Sequence, residues 1–231
     1  MRAAPFALLA VAGIACGSTT RSTNLETGGF YVDYTVVEAG TSARAVATFR
    51  DRDANGTDLE LVGGDRIAVD GRPLALVDDS AAEVTGFRYE GAVAAGTAHT
   101  FVFSRVGEPD VAREIPAAPA ITPLFNGDAS ARRKATEPAV LTWKPDLRAT
   151  VTLQAKATTA NADCLSLTLA TFDDVGFYAI DPARLRVPES TVACTYTIEA
   201  TRRKRTVPPP APFLGGALTT VVYGAAELSI Q

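Results

Sequence analysis

The sequence predicts an all-β chain: two antiparallel β-sandwich modules in tandem. Three observations carry this reading. Apolar and polar residues alternate through most of the chain, the period-2 signature of half-buried strands, and no stretch carries a helical stripe. The alternating runs are short and recur roughly every 8–12 residues, separated by turn-forming residues. A proline-rich interval, Ile115-Pro116-Ala117-Ala118-Pro119-Ala120-Ile121-Thr122-Pro123, then divides the chain near its middle. Prolines withhold the amides that ladder pairing needs, so this interval is the expected boundary between residues 27–118 and 119–231. The 231 residues leave room for one large domain or two domains of roughly 100 residues each. At 47% apolar and 21% charged residues, the composition excludes a disordered polymer.

The N-terminus comes first. Arg2 is followed by an apolar run from Ala3 to Ala15. That run is too short for a membrane-crossing helix, which needs about 20 residues, but suits a secretory leader over residues 1–15. The leader ends Ala12-Gly13-Ile14-Ala15-Cys16, which resembles the lipobox of bacterial lipoproteins, with Gly13 in place of the usual Leu. The resemblance implies a lipidated Cys16, a membrane anchor and a cell-envelope location. Gly17 after the Cys points to the outer membrane of a Gram-negative bacterium. The same residues also allow an ordinary signal peptide cut nearby. Residues 16–26 are polar and aperiodic, so they are expected to form a flexible tether. Lipidation of Cys16 leaves Cys164 and Cys194, an even pair expected to form one disulfide in an oxidising compartment, with two unpaired buried thiols as the alternative.

In the first module, Phe30, Val32, Tyr34 and Val36 share one strand face, as do Ala43, Ala45, Ala47 and Phe49 in the next. Thr57–Val62 forms a third strand. Ile67–Leu74 reads as a hairpin turning at Asp70-Gly71. Val84–Tyr89, Thr97–Arg105 and Val111–Ile115 complete the set.

The second module opens with Ala139-Val140-Leu141-Thr142-Trp143-Lys144-Pro145. A strand ending in Trp-x-Pro resembles the early strand of fibronectin type III and other immunoglobulin-like domains, which implies that Trp143 packs between two sheets. Strands at 149–157, 163–170, 177–180, 191–200 and 219–230 follow. Cys164 and Cys194 both fall in expected strands, so a bridge would join two sheets or two neighbouring strands. Trp143 precedes both Cys, unlike the order in immunoglobulin domains, so that topology is not assigned. Over most of its length the chain resembles bacterial lipoproteins with two immunoglobulin-like modules. Gly64–Ile67 before Val69-Asp70-Gly71, Gly96-Thr97 before Phe101–Phe103, and Asp173-Asp174 before Gly176-Phe177 add to the likeness. It implies fold and location and carries no activity.

Candidate sites are sparse. Asp51, Asp53 and Asn55 followed by Gly56 match the first half of a calcium loop, where alternating oxygen ligands converge across a glycine turn. The twelfth position, where such a loop needs a bidentate Glu, is Val62. A polar hairpin gives the same string. Arg202-Arg203-Lys204-Arg205 could meet an envelope polyanion, but beside Pro208–Pro210 it reads as a solvated loop. Asp78-Asp79 and Asp173-Asp174 could act as acid and base, though neither pair has an evident partner. His99, the single histidine, reads as a surface or strand-end residue. A net charge of −4 argues against a nucleic-acid partner, and one His with a single Met at position 1 argues against copper or zinc. No nucleophile elbow, phosphate loop or dinucleotide fingerprint is present. The expectation is a non-enzymatic lipoprotein without a cofactor, which binds or scaffolds an envelope protein or glycan on its loops or an exposed sheet face. The alternatives are calcium-dependent carbohydrate binding or adhesion through Asp51, Asp53 and Asn55, and an envelope hydrolase using His99 or a carboxylate pair.

Overall fold

The computed structural model describes residues 20–78, 86–134, 136–158, 164–185, 193–206 and 211–230. Cys16, the leader 1–15, the first part of the tether, Asp79 and Pro208–Pro210 lie outside the described residues. The alternation in Phe30–Val36 becomes the strand Phe30–Ala39, with Phe30, Val32, Tyr34 and Val36 buried. It pairs antiparallel with Ser42–Asp51, which buries Ala45, Ala47 and Phe49 on the same face. Phe87–Ala94 and Ala75–Asp78 extend that sheet to its edge. Opposite lies a four-stranded sheet of Val111–Ile115, His99–Ser104, Arg66–Val69 and Arg72–Pro73. Its hairpin turns at Asp70 and Gly71, with φ of 49° and 77°, the doubly positive backbone that an Asp-Gly pair accepts. Aromatic rings fill the space between the layers. Tyr34 stacks on Phe101 at 4.7 Å, and Phe49 meets Phe30 and Tyr89 edge-on.

The second half repeats the two-layer plan. Leu167–Asp173, Thr150–Ala157, Cys194–Thr206 and Gly215–Ile230 run side by side in that order. They face a smaller sheet of Leu124–Phe125, Ala139–Thr142 and Phe177–Ile180. Trp143 is buried in this core together with Leu141, Leu153, Ile198 and the disulfide. Cys164–Cys194 is formed, with Cα atoms 5.7 Å apart. Cys164 lies in a bend ahead of its strand rather than within it. The bridge therefore ties that bend to the first residue of a strand two places away in the same sheet. Closing this loop stabilises the fold by roughly 3–4 kcal/mol in the chain-entropy account.

The last strand departs from two independent antiparallel modules. Gly215–Ile230 is 16 residues long. One edge pairs antiparallel with Cys194–Thr206, from Cys194 opposite Ile230 to Thr206 opposite Leu218. The first half of its other edge pairs in parallel with Phe30–Ala39, from Gly215 opposite Tyr31 to Tyr223 opposite Ala39. Ser130–Arg133 then takes up that edge, also in parallel. One nine-stranded sheet thus runs through both halves. Parallel pairing needs a long crossover, and here the whole second half supplies it. The expected division at 118/119 is crossed in both directions: Phe213 packs in the first core, and Ala118 in the second.

The tether expectation also changes. Thr20–Arg21 pairs in parallel with Leu59–Glu60, and Ser22 is fully buried. Arg105 explains why. Its Nη2 donates to the Ser22 carbonyl at 2.8 Å, its Nη1 to the Leu25 carbonyl at 2.8 Å, and its Nε to Asp65 at 3.0 Å. The guanidinium also lies 4.8 Å from the Phe30 ring centre, a cation–π distance.

Where the proline-rich segment crosses the shared strand there is no room for a side chain. A Cβ on Gly224 would stand 2.0 Å from the Ile121 carbonyl oxygen. Gly224→Ala is expected to cost about 1–3 kcal/mol as backbone is forced apart, read as a lower urea midpoint at unchanged m-value.

Candidate functional site

In the Asp51–Asp58 turn, one carboxylate oxygen each of Asp51 and Asp53 is taken by a backbone amide of the same turn. Asp51 Oδ1 accepts the Thr57 amide at 2.5 Å, and Asp53 Oδ1 accepts the Asn55 amide at 2.8 Å. The Asp53 bond is an Asx turn, an ordinary use of Asp in a hairpin, while the Asp51 bond closes the loop onto its far end. Among the described residues, no group of three or more His, Cys, Asp or Glu side chains converges as a metal site.

His99 does begin a strand, but it is buried rather than on the surface. Its Nδ1 lies 2.7 Å from Asp70 Oδ2, and Asp70 Oδ1 accepts the Thr100 amide at 2.9 Å. Thr97 Oγ1 stands 3.4 Å from the other ring nitrogen and is also within 3.4 Å of the Ala94 carbonyl. These contacts pin the Asp70-Gly71 turn to the neighbouring strand. Burial alone would raise the Asp70 pKa, but the bonds from His99 and Thr100 outweigh it and hold the carboxyl below its ordinary range.

Arg202–Arg205 is not a loop. The strand Cys194–Thr206 continues through it, and strand parity sends Arg202 and Lys204 inward and Arg203 and Arg205 outward. Arg202 is wholly buried. Its Nε donates to Asp174 Oδ2 at 2.7 Å, its Nη1 to the Pro119 carbonyl at 2.9 Å, and its Nη2 to the Lys144 carbonyl. Asp174, expected to lack a partner, is equally buried. Its Oδ1 accepts the Trp143 indole N–H at 2.7 Å and its Oδ2 the Asp146 amide at 2.9 Å. Lys204 reaches Asp146 at 2.8 Å. With every strong donor and acceptor met, the desolvation cost of this pair is offset. Its role is to tie the proline-rich segment, the Trp143 strand end and the shared sheet together.

A cavity of about 560 Å³ opens beside this tie. Its walls are the hairpin tip Glu38–Gly40, the crossing segment Ala120–Thr122, Glu199, and Val222–Ala225 of the shared strand. Most of the lining is apolar. Glu38 is 5% exposed; its Oε2 accepts the Gly96 amide at 3.2 Å, while its buried Oε1 has no hydrogen-bond partner. Glu199 sits at the rim, paired with Lys156 at 2.7 Å. Tyr223 keeps 43% of its surface open. None of these residues stood out in the sequence as a site. The available signal was parity: Glu38 continues the inward series Phe30, Val32, Tyr34 and Val36, which places a carboxylate where a core residue belongs.

No family model matches the chain. No curated protein matches it either. Among solved structures it is similar to the FN1–FN3 domains of chicken CNTN1, at 12% identity and a TM-score of 0.22. The alignment takes in 84% of this chain, which spans 65% of the length of that structure.

Two outcomes follow from the buried charges. Arg202→Met leaves Asp174 buried without its cation and is expected to cost about 3–5 kcal/mol in urea unfolding, with Arg202→Met combined with Asp174→Asn costing less than the single change. The second concerns acid. In Asp65 and Asp146, as in Asp70, burial raises the pKa but is outweighed, by the Arg105 and Ser22 bonds for Asp65 and by the Lys204 bond and the Arg148 amide for Asp146. All three folded-state pKa values lie below the unfolded value of about 3.9, so their stabilisation is complete above about pH 5 and is lost as pH falls through the folded values. The urea midpoint should therefore drop below about pH 4, with Asp58, whose carboxyl pKa is pushed up by burial, opposing that drop in part.

Proposed function

We propose that this chain is a non-enzymatic, lipid-anchored protein of the bacterial cell envelope that binds an envelope glycan in the cavity where its two halves meet. The observation that carries the reading is the chemistry of that cavity. A mostly apolar hollow holds a buried carboxylate oxygen without a donor, a second carboxylate at the rim and an accessible tyrosine ring. Carboxyl oxygens accept hydrogen bonds, so they suit a ligand dense in hydroxyl donors. An open aromatic face suits the C–H face of a sugar ring. A few polar groups around an apolar hollow at a junction between halves are a common make-up of a ligand site.

The anchor rests on Ala12–Cys16, and the oxidising compartment it implies agrees with the Cys164–Cys194 bridge. Two acyl chains or more make such attachment stable. The outer membrane is the membrane proposed, on the strength of Gly17.

Calorimetric titration with soluble glycan strands released from a bacterial envelope tests the binding. Tyr223→Ala and Glu199→Gln are expected to weaken affinity by about tenfold each, of the order of one lost contact, while leaving the urea midpoint unchanged. Glycan strands that give no heat with the folded chain would overturn the reading. Labelled palmitate should enter the wild-type chain and not Cys16→Ser; an unlabelled wild-type chain would overturn the anchor.

A further inference from the structure

We propose a second binding site, on the outward face of the central sheet and lined by residues other than those of the glycan cavity: a shallow seat for a phosphate group. Four adjacent strands build it. Arg203 and Arg205 come from Cys194–Thr206, Thr219 from Gly215–Ile230, Thr35 and Asp33 from Phe30–Ala39, and Thr48 and Arg50 from Ser42–Asp51. Thr219 stands opposite Arg205 on one side and Thr35 on the other, and Asp33 stands opposite Thr48. The depression they enclose measures about 310 Å³, and its lining is mostly polar.

The charges there do not cancel. Arg50 is satisfied by Asp33 at 3.2 Å and by Asp58 at 3.3 Å. Asp33 is the single carboxylate in the lining, and Arg50 holds it. Arg203 and Arg205 are exposed, and among the described residues neither side chain makes an ion pair. Two residues apart on one strand, their Cα atoms lie about 7 Å from each other, so their like charges repel with nothing between them. Two uncompensated guanidiniums over a floor of threonine hydroxyls match a dianion with several acceptor oxygens. A guanidinium fork meets two oxygens of one phosphate in parallel. The rule that sent Arg202 inward to hold the fold together leaves Arg203 and Arg205 free to take a ligand.

The occupant assigned is a phosphate group on a soluble or glycan-borne ligand, not a bilayer surface, because the donors converge in a depression rather than spread over a plane. The test uses the full chain with inorganic phosphate as probe. Phosphate is titrated to roughly 10 mM against chloride at matched ionic strength, and the arginine Nε–Hε resonances are followed by NMR. Saturable shifts are expected, with about tenfold weaker binding in the double variant Arg203→Gln, Arg205→Gln. Arg44→Gln serves as control, since Arg44 shares the face but is held by Glu90 at 3.0 Å, and it should bind as wild type. Sedimentation with phosphatidylglycerol vesicles forms the second arm. No saturable shift in the folded wild-type chain, equal affinity in the double variant, or vesicle binding without phosphate binding would each overturn the assignment.

Discussion

The pairing of the last strand with both halves at once is the interaction on which the rest of this structure depends. Gly215–Ile230 closes the second sandwich through its bonds to Cys194–Thr206 and completes the first through its bonds to Phe30–Ala39. Neither core is whole without the C-terminal segment, because Phe213 fills a place among the rings around Tyr34 and Phe103. A linker between tandem domains usually leaves them free to reorient. Here the hydrogen-bond ladder runs through the junction, so the two halves share one sheet and hold their relative position.

That continuity also shapes both candidate sites. The cavity proposed for a glycan forms where the crossing segment 120–122 lies against the shared strand, beside the tip of the first hairpin. The proposed phosphate seat forms where four strands from both halves of the chain lie in register and present their outward residues together. Between them, Arg202 and Asp174 fix the crossing segment by bonding its carbonyls and the Trp143 indole from within the core. A buried ion pair is a costly way to hold a fold unless its geometry is complete. Completeness here comes from the backbone carbonyls of Pro119 and Lys144, which accept from the two terminal nitrogens of the guanidinium.

Much of the fold was legible in the chain. The alternating runs at Phe30–Val36 and Ala43–Phe49, the Asp70-Gly71 hairpin and the even cysteine pair are local or compositional signals, and each has its counterpart in the structure. The sites were much less legible. Arg202–Arg205 beside three prolines looks like a solvated loop, because a run of four cations gives no apolar alternation to betray a strand. Its parity becomes meaningful only once the strand is known to continue from Tyr196 and Ile198. Asp174 looked unpartnered because its partner lies 28 residues away. His99 looked superficial because the carboxylate that covers it comes from a turn 29 residues earlier.

Strand periodicity is a local property, so the sequence by itself determined the class of fold, most strand positions and which face of each strand is greasy. Which strands become neighbours is set by pairing across long loops, where no short-range pattern chooses the partner or its direction. Only the tertiary structure therefore decided that the final strand joins the two halves in parallel, that a basic run splits into a buried tie and an exposed pair, and that an out-of-place carboxylate at Glu38 borders a cavity.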